Sequence, residues 1–178
     1  MKLVILDRDG VINHDSDQYI KSPAEWRPIA GSIEAIARLH QGGWRIAVAT
    51  NQSGIGRGLF DMATLNAIND KMMELVFRQG GRIDALFFCP HTAAESCSCR
   101  KPRTGMFEEI AARFHMELKG VPVVGDSLKD LQAADAVGAQ PLLVLTGKGQ
   151  RTRADGGMPR RTQVFEDLAD AVRHLVAA

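Results

Sequence analysis

No stretch of this sequence stays apolar for long. After Met1 and Lys2 only residues 3–6 are apolar before Asp7 interrupts, too few for a secretory core or a membrane span. The expected compartment is therefore the cytoplasm. An excess of charge is missing too: 22 Lys and Arg stand against 21 Asp and Glu, a net charge of +1. With no basic or aromatic surface evident, the expected partners include neither nucleic acid nor membrane. Gly and Pro, at 17 and 7 residues, are too sparse for a collagen-like or disordered chain. Cysteine is scarce, and all three cysteines fall between positions 89 and 99. A disulfide framework would spread its cysteines to close long loops, so this cluster reads as a metal site.

What is present is an alternation of short apolar runs and helical patterns over 178 residues, the length of one domain with an adequate core. Residues 3–6, 45–49, 83–88, 121–124 and 141–145 read as strands. Residues 62–77, 106–114, 128–137 and 165–176 read as helices, as does the segment carrying Ile33, Ile36, Ala37 and Leu39 between Gly31 and Gly42-Gly43. Residues 13–28 and 148–161 read as irregular polar loops. The expectation is a single α/β domain over residues 1–178, a Rossmann-like three-layer arrangement around a mainly parallel sheet. It has no room for a large cap domain, and a short metal-binding loop is inserted at 89–99.

Polar residues stand where the strands stop, at Asp7, Thr50, Cys89 and Asp126. Ligands of open parallel sheets bind outside the carboxyl ends of the strands, so these residues point at one rim. Asp7 and Asp9 lie two apart, which on extended backbone puts both carboxylates on one side. With Asp126, and Asp130 one helical turn later, they form an all-oxygen donor set suited to Mg²⁺. The run Thr50-Asn51-Gln52-Ser53-Gly54 offers a hydroxyl, amides and backbone N–H groups as a phosphate cradle, although any turn uses such residues. Arg100 and Lys101 add two cations, with Pro102 restricting Lys101. Phosphoryl transfer fits all these pieces: an Asp attacks phosphorus, and a second acid protonates the leaving alcohol and later takes a proton from water.

Cys89-x-His91 followed by Cys97-x-Cys99 supplies three thiolates and one imidazole, a full tetrahedral set for structural Zn²⁺. Cys99 directly precedes Arg100-Lys101, so a metal there would position both cations.

The four motifs, Asp7-Arg8-Asp9-Gly10, Thr50-Asn51-Gln52-Ser53-Gly54, Cys99-Arg100-Lys101-Pro102 and Gly125-Asp126-Ser127 with Asp130, resemble in order and spacing those of the haloacid dehalogenase superfamily of phosphatases. Within it the chain is most similar to the branch that takes the 7-phosphate from D-glycero-D-manno-heptose 1,7-bisphosphate in lipopolysaccharide core precursor synthesis. The neighbouring histidinol-phosphatase group usually carries Asp where Ser53 stands. The resemblance implies that Asp7 is the nucleophile and a Mg²⁺ ligand. Asp9 would be the general acid/base and bind Mg²⁺ through its backbone carbonyl, with Asp126 as the remaining carboxylate. Thr50 and Lys101 would stabilise the phosphoryl group. Asp15, Tyr19, Asn51, Gln52, Ser53 and Arg100 would contact substrate. It also implies zinc on Cys89, His91, Cys97 and Cys99. Asp130 reads as support for Lys101 or the Mg²⁺ site. Ser127 stands where some members carry Lys. The implied partner is a small sugar phosphate, and the expected working unit a monomer. A histidinol-phosphate or other small phosphomonoester phosphatase is the alternative enzyme, and a zinc-containing phospho-acceptor or interaction module the non-enzyme alternative.

Overall fold

The apolar runs become strands whose residues alternate between two buried faces. In the computed structural model, which describes residues 1–177, the chain runs β1 (Lys2–Leu6), α1 (Ser32–Gln41), β2 (Trp44–Asn51), the single-turn α2 (Ser53–Gly56), α3 (Met62–Arg78) and β3 (Ala85–Cys89). It continues through α4 (Gly105–Phe114), β4 (Pro122–Gly125), α5 (Leu128–Ala136), β5 (Gln140–Val144), α6 (Gly149–Asp155), β6 (Gln163–Phe165) and α7 (Leu168–Ala177). The six strands form one sheet in the order β3-β2-β1-β4-β5-β6, with every neighbouring pair parallel.

On one side of the sheet Val4 and Leu6 pack with Ile36 and Leu39 of α1, Ile68 and Met72 of α3, and Val172 of α7. On the other, Leu3 and Ile5 pack with Phe107 and Ile110 of α4 and Ala133 of α5. Coverage on both faces is why β1 is apolar without interruption. Each of these side chains larger than alanine contributes roughly 1.5–3 kcal/mol on burial. The α/β three-layer arrangement expected from the sequence is the one found.

Two segments differ from expectation. The loop expected at 148–161 contains α6, which buries only Gly149 and Thr152 and so shows no apolar stripe. Tertiary hydrogen bonds hold it: Thr152 Oγ1 donates to the Asp126 carbonyl at 2.7 Å. The helix expected from residue 165 starts at Leu168, because residues 163–165 form β6 against β5. That strand is short and largely exposed, so it lacks the pattern of a buried strand.

The sheet order positions the site. β1 is flanked by β2 and β4, so successive connections leave it in opposite directions, and a crevice opens beyond its carboxyl end. The register pairs Leu6 with Val124, and the Asp7 N–H donates to the Val124 carbonyl at 2.9 Å. Asp7 and Asp126 therefore leave adjacent strands side by side. On the other flank Asn51 pairs with Cys89, which sets the phosphate-cradle turn beside the cysteine loop.

Candidate active site

A cleft of about 520 Å³ lies at this rim. It is lined by Asp7, Asp9, Asp15, Tyr19, Thr50, Asn51, Gln52, Ser53, Arg100, Lys101 and Asp126, which are all the non-zinc site residues expected from the sequence.

Carboxylates dominate its floor. One carboxylate oxygen each of Asp7, Asp126 and Asp130 lie within 4.8 Å of one another. Burial pushes Asp7 up to about 7, with the Asp130 charge adding to it and Lys101 opposing. Burial likewise pushes Asp126 up to about 8, aided by the charges of Asp130 and Asp7. Such raised values mark carboxylates that are buried first and crowded second. Asp126 is fixed from several sides. Its Oδ2 accepts from the Lys148 N–H at 2.8 Å, and a Cβ at Gly10 or Gly147 would run into its carboxylate. Both glycines also have positive φ, 84° and 55°, where a side chain would be strained. Both oxygens of Asp130 are already engaged: Oδ1 meets Lys101 Nζ at 2.6 Å, and Oδ2 accepts from the N–H and hydroxyl of Ser127 at 3.0 and 2.8 Å. Asp7 and Asp126 instead each keep one oxygen that meets no donor among the described residues, an oxygen-only set that fits Mg²⁺.

Lys101 is buried, and its three N–H donors reach Ala49 O at 2.7 Å, Asp7 Oδ1 at 3.1 Å and Asp130 Oδ1 at 2.6 Å. Burial works against its charge, but Asp130 and Asp7 outweigh burial and hold its pKa above the usual lysine value. It is a fixed cation beside Asp7. Asn51 lines the cleft and pairs through its amide with the Lys101 backbone.

Asp9 has the opposite environment. Burial raises its pKa, but the Arg8 guanidinium and hydrogen bonds from Arg8, Asn13 and Gln52 outweigh that and hold it below the usual carboxylate value. Gln52 Nε2 donates both to Asp9 Oδ2 and to Thr50 Oγ1, at 3.0 Å each, so acid, amide and hydroxyl form one chain. At the cleft edge, Asp15 Oδ2 pairs with Lys148 Nζ at 3.2 Å. Tyr19, at a positive φ of 66°, lies under the Arg57 guanidinium at 5.9 Å. The loop carrying both is anchored from α3 by Lys71, whose Nζ donates to the carbonyls of Pro23 and Trp26 at 2.7 and 2.8 Å.

The cysteine loop closes on itself. His91 Nδ1 lies 3.4 Å from Cys89 Sγ and 3.2 Å from Cys99 Sγ, and Cys97 Sγ lies 3.9 Å from Cys89 Sγ. The four ligand atoms fall within 4.8 Å of one another, a nitrogen-and-sulfur set that fits tetrahedral Zn²⁺ and leaves no open position. Burial opposes ionisation of Cys97, but donors including the Arg100 N–H bring its thiol down to about 6. Arg100 follows the loop, and its Nη1 donates to the His91 carbonyl at 3.4 Å.

Lys129, at the start of α5, and Lys148 and Arg151, in the segment read from the sequence as an irregular polar loop, also line the cleft. Lys148 stands four residues after β5 ends at Val144, out of reach of a rule that reads the residue at which a strand stops. Lys129 has its pKa pushed down by burial and by the nearby charges of Arg100 and Lys148, so these cations share one neighbourhood.

Comparisons with known proteins agree with this geometry. A family profile described as HAD-hydrolase-like matches residues 98–171. The chain is 56% identical over 176 residues to the D-glycero-beta-D-manno-heptose-1,7-bisphosphate 7-phosphatase of Bordetella bronchiseptica, covering 99% of this chain and 98% of that one. It is 55% identical to the enzyme of the same name from Pseudomonas putida, covering 99% and 100%. A crystal structure of the D,D-heptose 1,7-bisphosphate phosphatase from B. bronchiseptica, complexed with magnesium and phosphate, superposes with a TM-score of 0.98 at 56% identity over 99% of both chains. The architecture, the carboxylate floor and full-length similarity at this level lead to one assignment: the chain belongs to the family of D-glycero-beta-D-manno-heptose-1,7-bisphosphate 7-phosphatases.

Proposed function

We propose that this protein is a Mg²⁺-dependent phosphatase that removes the 7-phosphate from D-glycero-D-manno-heptose 1,7-bisphosphate through an aspartyl-phosphate. The observation that carries the reaction is the contact of Lys101 Nζ with Asp7 Oδ1 at 3.1 Å, at the strand end where the sheet order opens its crevice. Both donors on Asp7, the Arg8 N–H at 2.8 Å and Lys101, fall on Oδ1. Among the described residues no donor occupies Oδ2, which is free to attack.

Asp7 Oδ2 forms a bond to phosphorus as the bond from phosphorus to the ester oxygen breaks. Lys101 and Thr50 meet the charge on the transferring group, and Asp9, which must first take up a proton from solvent against the pull of Arg8, passes it to the departing oxygen. A water then attacks phosphorus, Asp9 takes the water proton, and the bond to Asp7 breaks to release inorganic phosphate and restore the carboxylate. Asp7, Asp126 and the Asp9 carbonyl would hold Mg²⁺, which when bound neutralises the phosphate dianion. Cys89, His91, Cys97 and Cys99 would hold structural Zn²⁺ and fix Arg100 and Lys101 at the cleft.

The relatives' substrate carries two phosphates, and the cleft carries two groups of cations. Lys101 serves the phosphate under attack. Arg100, Lys129, Lys148 and Arg151, which line the same cleft, receive the other, while Asp15, Tyr19 and Ser53 contact the sugar. The proposed working unit is a monomer built on this one domain, a reading that the molecular mass in solution tests. Three clustered thiols kept available for a metal support a cytoplasmic location. The test is phosphate release with Mg²⁺ from heptose 1,7-bisphosphate and from histidinol phosphate. An advantage in kcat/KM of about 10² for the bisphosphate, roughly 2.7 kcal/mol, is expected. A preference for histidinol phosphate would overturn the substrate, and inactivity on both would overturn the reaction.

A further inference from the structure

The Arg8 side chain takes no direct part in the steps above, yet it is fully buried, at 0% exposure. A buried guanidinium is costly unless its donors are met, and here they are met in a particular way. Nε donates to Asp9 Oδ1 at 3.0 Å and Nη2 to Asp9 Oδ2 at 3.3 Å, a two-pronged grip on one carboxylate. The remaining terminal nitrogen, Nη1, donates to Asn69 Oδ1 at 3.1 Å. Asn69 lies in the interior of α3, 61 residues away in sequence, where asparagine is a weak helix former.

Arg8 and Asp9 are chain neighbours, so their mutual grip does not by itself fix where the pair points. Torsions of both side chains could carry carboxylate and guanidinium together. The third contact removes that freedom, because it ties the plane of the guanidinium to a helix packed against the sheet. Asn13 Nδ2 at 3.0 Å on Oδ1 and Gln52 Nε2 at 3.0 Å on Oδ2 complete the arrangement. We infer that Asn69 is a positioning residue, which acts through Arg8 to aim the Asp9 carboxylate at the leaving oxygen. The inference rests on the assignment of Asp9 as the acid/base.

Leaving-group dependence provides the test, because a nitrophenolate departs without a proton and a sugar alkoxide does not. Alcohol release in a single turnover is measured with saturating Mg²⁺ on the zinc-loaded protein, using the heptose bisphosphate and p-nitrophenyl phosphate. Asn69→Ala keeps a good helix former, so folding is expected to survive. It should slow release from the sugar ester about tenfold or more, with the aryl ester changed by about twofold or less. Asn69→Asp retains an acceptor for Arg8 Nη1 and should restore most of the loss. Arg8→Lys, which keeps the charge but not the fork, should reproduce the selective loss. Equal losses on both esters, no loss on either, or a gain on the sugar ester would overturn the inference. Asp9→Asn, measured alongside, separates the two readings. If it shows the selective loss and Asn69→Ala does not, only the positioning role fails; if it shows none, the assignment of Asp9 itself fails.

Discussion

Asn51 holds the backbone of Lys101 with both ends of one amide: its Nδ2 donates to the Lys101 carbonyl at 3.1 Å, and its Oδ1 accepts from the Lys101 N–H at 3.0 Å. The pairing joins the end of β2 to the loop before α4, and it satisfies two backbone groups of a buried residue. A reciprocal contact of this kind fixes rotation as well as distance, so the ammonium arrives beside Asp7 in one orientation.

Replacement of Asn51 by Ala should therefore act on Lys101. With both backbone partners gone, kcat should fall by about 10–100-fold while KM changes by less than about threefold, since the lost interaction serves the transferring group. Steady-state kinetics on the heptose bisphosphate decide the matter. A large rise in KM with unchanged kcat would assign Asn51 to ground-state binding of substrate instead.

Lys101 sits between Asp7 and Asp130 with little access to water. Lys101→Met leaves two carboxylates facing each other without their shared cation, and such uncompensated burial costs about 3–5 kcal/mol. Addition of Asp130→Asn should recover a large part of that stability, since it removes one of the two stranded charges, and should leave turnover abolished. Urea unfolding of the single and double variants measures this. Equal stability of the two would mean that the cost lies in packing rather than in charge.

Much of this site could be read before the structure was known, and the reason is physical. A buried parallel strand must be apolar throughout, so Asp7 after β1 and Asp126 after β4 announce strand ends that share a rim. Clustering made the cysteine loop equally plain. The elements that escaped are those whose stability is not local. α6 has no apolar stripe and rests on Thr152 reaching the Asp126 carbonyl. β6 is three residues long and exists through its pairing with β5. The Arg8–Asn69 contact joins positions that no spacing rule connects, and Lys148 becomes meaningful only once β5 is seen to end at the same rim.

The cysteine loop should bind one zinc per chain and depend on it. Cys97→Ser removes one of four ligands, and zinc content measured by elemental analysis should fall. The melting temperature should fall with it by about 4–8 °C, which corresponds to roughly 2 kcal/mol for a chain of this size. Turnover should decline too, because Arg100 and Lys101 directly follow Cys99. Unchanged stability after complete removal of zinc would contradict the structural role.

The side chains of Lys148 and Arg151 should decide whether a second phosphate counts. Lys148 has two separable jobs: its backbone N–H holds Asp126 Oδ2 at 2.8 Å, while its ammonium pairs with Asp15 at 3.2 Å and lines the cleft with Arg151. Substitution of the side chain leaves the first job in place. Lys148→Met combined with Arg151→Met should thus lower kcat/KM for the 1,7-bisphosphate by about 10–100-fold, as expected for the net loss of one charge-assisted hydrogen bond of roughly 1.5–3 kcal/mol. The same variant should treat heptose 7-phosphate within about threefold of the parent, because that substrate never had the group these cations meet. Equal losses on both substrates would show that the pair shapes the cleft rather than reading the distal phosphate. Asp15→Asn extends the argument from the other side. By releasing the Lys148 ammonium from its only acidic partner at salt-bridge distance among the described residues, it should leave the preference for the bisphosphate intact or strengthen it, and a loss of that preference would mean that Asp15 must hold Lys148 in place for the phosphate to find it.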